Sequence, residues 1–230
     1  MKNKFEISLG SVARVAGLSL LIMVVAAPFA ELYVFPKLIV GSNWEETAKN
    51  ILANKSLFRT GTLAYLITFI CDLLVTWALY FLLKPVSMSL TLLTAWFRLT
   101  YTIIALVAFV NLVSILKLVN NPDILAALSS DLLVERIRFS ITAFKNGWYF
   151  SILFFGIHLG LLGYLVYRSG YIPKILGVLL IISGLGYLAN GLKPFMFPDT
   201  NIDFAVYTFY GEVIFMLWLL VRGYRIKEPD

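Results

Sequence analysis

The chain has 230 residues, of which 60% are hydrophobic and only 14% are charged, whereas ordinary soluble domains carry about 25% charged residues. Together with a mean hydropathy of +0.86, this composition excludes a water-soluble globular protein and predicts a polytopic membrane protein whose main partner is the lipid bilayer. The formal net charge of +6 does not indicate a nucleic-acid partner, because the basic residues stand at the ends of apolar runs and form no continuous patch.

Six apolar runs are each long enough, or nearly so, to form a helix that crosses a bilayer, which takes about 20 residues. They predict an all-α protein with one integral membrane domain over residues 1–230. The runs lie at about residues 15–35, 58–83, 88–117, 147–168, 173–192 and 205–222. A cleaved signal peptide is not expected, because the first run extends to Phe35 and because Pro28 and Phe29 interrupt the small residues that a cleavage site needs.

The connections between these runs alternate between short and long. Only LKPVSMS joins the second run to the third, and only RSGYIPK joins the fourth to the fifth. Short loops carry most of the signal that orients a membrane protein. The short loops and both termini together contain more basic residues per length than the longer loops do, which favours the cytoplasmic side for them. We therefore predict a multi-pass protein of the bacterial inner membrane with both termini in the cytoplasm.

Two longer connections are predicted to contain short amphipathic helices at the outer surface. Asn43, with Glu46 three residues later, resembles a capping box, and Asn121 can cap a helical turn that begins at Pro122. Each helix is either a simple connector at the membrane surface or a lid over a pocket. Apolar residues at helical spacing follow both caps: Trp44, Ala48, Ile51 and Leu52 after the first, and Leu133, Ile137, Ile141 and Phe144 after the second.

Four ionisable residues lie deep inside the predicted spans: Asp72, Arg98, His158 and Glu212. At about 1.5 Å per residue, all four lie roughly 15–18 Å from the cytoplasmic ends of their helices, near the middle of the membrane. Threonines share the helix faces of Asp72 and Arg98, so these two side chains are expected to meet as a charge-assisted pair, which can be bidentate. Glu31 lies nearer the outer surface, where it lines the mouth of a cavity or reaches water.

Ionisable groups inside a bilayer are costly and are normally paired or exposed to a cavity. Two functions follow, and both stay open. In the first, the buried residues bind or transport a small molecule or a proton, with His158 and Glu212 as a possible proton relay. In the second, the protein is a structural or regulatory membrane component, and the pair of Asp72 and Arg98 serves folding only.

Enzymatic chemistry has little support in the sequence. It contains no HExxH motif, and a single histidine with a single cysteine cannot form a usual zinc site. Ser183-Gly184 lacks the pattern of a nucleophile elbow. We therefore expect neither a catalytic site nor a metal or other cofactor.

Glycines recur on one face of each of two neighbouring runs. Small residues at such positions let two helices approach closely, so we expect these glycines to serve close helix packing, with a role as hinges as the alternative. The glycines are Gly156, Gly160 and Gly163 in the fourth run, and Gly177, Gly184 and Gly191 in the fifth.

Four segments also carry a family resemblance: ARVAGLSLLIMVVAAPFAELYV, ANKSLFRTGTLAYLITFICDLL, LLKPVSMSLTLLTAWFRL and FFGIHLGLLGYLVYRSGYIPKILGVLLIISGLGYL. In these segments the chain resembles a bacterial membrane-protein family catalogued as domain of unknown function 4386. The segments include Glu31, Asp72, Arg98 and His158, whereas Glu212 lies in the less similar C-terminal part. The resemblance implies an integral membrane fold and brings no known activity.

Overall fold

The computed structural model describes residues 8–196 and 208–226, and all regular secondary structure in these ranges is helical. The predicted all-α fold is thus confirmed for this part of the chain. In chain order the elements are α1 (Leu9–Pro28), a π-helix (Phe29–Val34), α2 (Phe35–Leu38), α3 (Trp44–Ala53), α4 (Lys55–Leu83), α5 (Met88–Val119), α6 (Pro122–Ala127), α7 (Ser130–Arg168), α8 (Lys174–Met196), α9 (Tyr210–Arg222) and a 3₁₀-helix (Gly223–Arg225).

Five helical segments in the described ranges are long and apolar enough to cross a membrane: Leu9–Leu38, Lys55–Leu83, Met88–Val119, Ser130–Arg168 and Lys174–Met196. Their length and composition indicate a membrane protein. The sixth predicted span, residues 205–222, begins with three residues outside the described ranges. Its described part, α9, has 13 residues and is about 20 Å long, so α9 alone is too short for a hydrocarbon core of about 30 Å.

Helix α7 differs most from the prediction. It is continuous over 39 residues, or about 58 Å, where the sequence predicts a separate amphipathic helix followed by a span that begins at residue 147. Ile137 and Ile141, two residues of the predicted apolar face, are fully buried. The helix does not break at Gly147, where a Cβ would lie 2.6 Å from the Cβ of Ala108. This glycine therefore permits a close approach to α5.

Both predicted helix caps are present. The Asn43 side chain accepts a hydrogen bond of 3.0 Å from the backbone N–H of Glu46 at the start of α3. The Asn121 side chain accepts bonds from the N–H groups of Asp123 and Ile124 at the start of α6. The capping box is only half formed, because the N–H of Asn43 donates to the carbonyl of Val40 at 2.8 Å.

The chain divides into two compact units. The first consists of Met1–Leu21, Cys71–Thr102 and Tyr149–Asp230, and the second of Ile22–Ile70 and Ile103–Trp148. Four of the five predicted site residues belong to the first unit, and Glu31 belongs to the second.

In the first unit, α7 and α8 approach each other through their glycines. A Cβ on Gly163 would lie 2.6 Å from the carbonyl oxygen of Gly177, and one on Gly184 would lie 2.8 Å from that of Gly156. The predicted close packing is confirmed at these positions. Gly160 differs, because a Cβ there would have no atom within 4 Å.

Side chains satisfy the carbonyl groups at the end of α4, also in the first unit. The last carbonyls of a helix have no intrahelical donor. The Tyr171 hydroxyl, in the turn between α7 and α8, donates to the carbonyl of Leu82 at 2.6 Å, and the Thr91 hydroxyl donates to that of Leu83 at 3.0 Å. Burial raises the pKa of the Tyr171 phenol to about 12, so the phenol keeps its proton at neutral pH.

Replacing Gly163 by alanine is expected to destabilise the protein by about 1–3 kcal/mol, because the new methyl group overlaps backbone atoms of α8 that cannot move aside. Thermal unfolding in detergent measures the effect. Gly160→Ala is the matched control, since its methyl group enters open space and alanine is the better helix former by about 0.5–1 kcal/mol. Equal losses in both variants would contradict the packing role of Gly163.

Candidate functional site

Asp72 on α4 and Arg98 on α5 form an ion pair buried from solvent, with exposed fractions of 0% and 1%. The Arg98 Nε and Nη2 atoms both donate to the Oδ1 atom of Asp72, at 3.0 and 2.5 Å. The predicted pair is confirmed. Arg98 does not bind both carboxylate oxygens, because the second oxygen, Oδ2, accepts a hydrogen bond from the Thr102 hydroxyl.

His158 on α7 completes this network. Its Nε2 atom lies 3.0 Å from Nη1 of Arg98, and its Nδ1 atom lies 2.9 Å from the carbonyl oxygen of Thr94. A guanidinium only donates and a carbonyl only accepts, so the imidazole must accept at Nε2 and donate from Nδ1. His158 is therefore neutral, and both of its ring nitrogens are occupied.

Aromatic rings surround the network on one side. The Phe155 ring stacks on the His158 ring at 5.8 Å, and the Arg98 guanidinium carbon lies 5.3 Å from the centre of the Phe155 ring. Phe155 also contacts the rings of Tyr101, at 4.7 Å, and Tyr187, at 5.2 Å. These contacts connect the ion pair to α8.

Glu212 lies beyond this aromatic group, in the first turn of α9. Its carboxyl group forms a hydrogen bond with the Tyr187 hydroxyl, and the charges of Arg98 and Asp72 act on it. Its Oε1 atom is buried and has no hydrogen-bond partner among residues 8–196 and 208–226. Glu212 is thus the one predicted site residue with a free acceptor in a buried position in this part of the chain.

A small cavity adjoins His158. Its volume of about 10 Å³ is room for about one water molecule. Three threonines, Thr76, Thr91 and Thr94, are among its lining residues, together with His158, Tyr80 and apolar residues. A small organic molecule does not fit this cavity, and a single water or a proton does.

Glu31 lies in the second unit, on the π-helix. Helices of this type occur often at functional sites. Glu31 itself is exposed, and its Oε2 atom accepts a hydrogen bond from the hydroxyl of Tyr65, which is 2% exposed. The Tyr65 ring is held by Phe35, Phe144 and Trp148 at centroid distances of 5.5, 5.3 and 5.7 Å.

Some of these contacts follow from the sequence and others do not. Thr94 and Thr102 lie on the predicted polar face of Arg98, one turn away on either side. Phe155 and Tyr187 have no such signal, because aromatic residues make up 15% of the chain and nothing in the sequence distinguishes these two. As for metals, the described residues contain no group of three His, Cys, Asp or Glu side chains that could hold an ion.

A family model described as "Domain of unknown function (DUF4386)" matches residues 15–223. The chain belongs to this family. It is also 36% identical over 159 residues to an uncharacterized protein of Archaeoglobus fulgidus. The aligned region is 69% of this chain and 81% of the relative. No solved structure matches the chain. The DUF4386 assignment agrees with the resemblance in the sequence and supplies no activity.

Replacing Asp72 by alanine is expected to cost about 3–5 kcal/mol, because Arg98 then keeps a buried charge without its counter-ion. Thermal unfolding and folded yield in detergent measure the loss. Glu135→Ala is the matched control: it removes the same kind of partner from Arg138 at 3.3 Å, but that pair is exposed and contributes at most about 1 kcal/mol. Similar stability of the two variants would show that the buried pair is dispensable.

Proposed function

We propose that this DUF4386 protein crosses the cell membrane six times and binds and releases a proton at Glu212, within a polar network that otherwise stays fixed. The sixth crossing would combine α9 with residues that precede it. Six crossings place both termini on one side, and the turn between α4 and α5 and the turn between α7 and α8 lie on that same side.

The distribution of basic residues supports a cytoplasmic location for this side. Lys84 lies in one short turn, Arg168 and Lys174 lie at the ends of the other, Arg222 is the last residue of α9, and Arg225 follows it. Lys117 and Lys193 stand at helix ends on the other side, but the connections on that side are longer, and basic residues in short loops carry most of the orienting signal.

Reporter fusions test this topology. A green fluorescent protein fused after Asp230 is expected to fluoresce, because it folds in the cytoplasm, and alkaline phosphatase fused after Asn120 is expected to be active on the outer side. Phosphatase fused after Lys84, in the short turn, is the control that stays inactive. An active phosphatase at Lys84, or a fluorescent protein at Asp230 that is made but does not fluoresce, would contradict the proposed topology.

The unpartnered Oε1 atom of Glu212 is the observation that supports a proton-binding role. Every side-chain oxygen of Asp72 and both ring nitrogens of His158 already have a hydrogen-bond partner in the described ranges. Glu212 can accept one. The cavity at His158 holds about one water, which fits proton binding better than binding of a small organic ligand.

Proton binding at this position is a simple exchange. The ionised carboxylate takes up one proton and becomes a neutral carboxylic acid, which can then donate a hydrogen bond through the new O–H. The groups that act on it are Arg98 and Tyr101 from α5, Asp72 from α4 and Tyr187 from α8. Uptake therefore changes the net charge of this region by one, and release restores it.

Infrared spectroscopy of the purified protein tests this proposal. The carbonyl stretch of a protonated carboxyl group is expected to appear and disappear with pH in the wild type and to be missing in Glu212→Gln. Glu135→Gln, on the exposed part of α7, is the control that keeps the band. A band that persists unchanged in Glu212→Gln would assign the titrating group elsewhere and refute this role of Glu212.

The complete satisfaction of the network formed by Asp72, Arg98 and His158 favours a second candidate function. Its members are 0–1% exposed, as expected of a structural connection between α4, α5 and α7. In a purely structural or regulatory component, Glu212 would keep one protonation state over the accessible pH range, and the infrared spectra of wild type and Glu212→Gln would show no pH-dependent difference.

A further inference from the structure

A basic pocket lies where the turn between α7 and α8 meets the end of α9, within the first unit. Its volume is about 930 Å³, and its lining includes Lys174, Arg222 and Arg225 as well as Tyr171 and Trp218. No acidic residue of the described ranges lines it. The pocket thus presents three cations with no carboxylate among them.

These cations have no carboxylate partners elsewhere in residues 8–196 and 208–226. Both ion pairs found there, Asp72 with Arg98 and Glu135 with Arg138, involve other residues. Aromatic rings hold two of the side chains: Lys174 Nζ lies 5.5 Å from the centre of the Tyr167 ring, and the Arg225 guanidinium carbon lies 5.1 Å from that of Tyr224. The aromatic rings therefore fix the positions of Lys174 and Arg225, and the positive charges of the pocket are free to bind an anion.

Two further features add positive potential. The Arg14 guanidinium carbon lies 5.6 Å from the Tyr224 ring, which is also the ring beside Arg225. Helix α8 begins at Lys174 with no acidic residue in its first turn, so the positive end of its dipole points to this edge of the pocket without a compensating side chain.

We propose that this pocket binds the phosphate headgroup of an anionic phospholipid. Basic pockets between spanning helices on the cytoplasmic side are suited to anionic headgroups, and Trp and Tyr side chains are typical of the level at which headgroups lie. The pocket is formed at the ends of apolar helices, so a lipid can place its phosphate there and its chains along the helices. Only the assignment to the cytoplasmic leaflet depends on the proposed topology.

A lipid titration of the full-length protein in detergent tests the site without reference to membrane sidedness. Phosphatidylglycerol is expected to raise the Tm of the wild type more than phosphatidylcholine does, because a ligand that binds the folded state stabilises it. In the double variant Lys174→Gln, Arg222→Gln, the phosphatidylglycerol concentration for half of the effect should rise roughly 30-fold, given the attraction that each basic residue contributes.

Two controls make the result specific. Arg168→Gln removes an exposed cation from the same turn, outside the pocket lining, and should bind like the wild type. The charge-conserving variant Lys174→Arg, Arg222→Lys should keep most of the effect. Both results support a localised headgroup site.

Three results would overturn the proposal. The first is an equal effect of phosphatidylglycerol and phosphatidylcholine on the wild type. The second is an unchanged lipid effect in the double glutamine variant. The third is full stabilisation by inorganic phosphate alone, which would assign the pocket to a free anion. None of them bears on Glu212, whose test uses a different signal.

Discussion

The buried guanidinium of Arg98 is the constraint on which the first unit depends. A cation taken out of water is strongly unfavourable unless its charge is neutralised and its N–H groups are bonded. Asp72 supplies the charge, and His158 accepts a hydrogen bond from Nη1. Thr102 and Thr94 in turn fix the carboxylate and the imidazole. Because these partners come from α4, α5 and α7, the rotation of all three helices about their axes is set together.

Helix α7 meets two demands on opposite faces. Gly156 and Gly163 face α8, where the backbones nearly touch, and His158 faces the ion pair. At 100° per residue these positions are well separated around the helix. A glycine face excludes side chains, so the contact with α8 cannot adjust by changing rotamers. The close packing on one side therefore helps to hold the imidazole in place on the other.

The rigid geometry of a helix explains how much of this could be predicted. Rise and rotation per residue are fixed, so the depth and the helix face of each residue predict that Asp72 pairs with Arg98. The bonding within the pair depends on rotamers, and the sequence does not encode which oxygen Arg98 uses. The sequence also does not predict that α7 is continuous, because an amphipathic helix and a spanning helix share the same periodicity. The π-helix after Pro28 has no distinct sequence signal either.

The network of Asp72, Arg98 and neutral His158 contains one positive and one negative charge, and its net charge is zero. The electric field across an energised membrane acts on net charge, with about 2.3 kcal/mol for one elementary charge moved through 100 mV. In the proposed six-span topology the field would therefore exert almost no net force on the network that joins α4, α5 and α7. A change of membrane voltage would then act mainly on groups whose charge is not compensated.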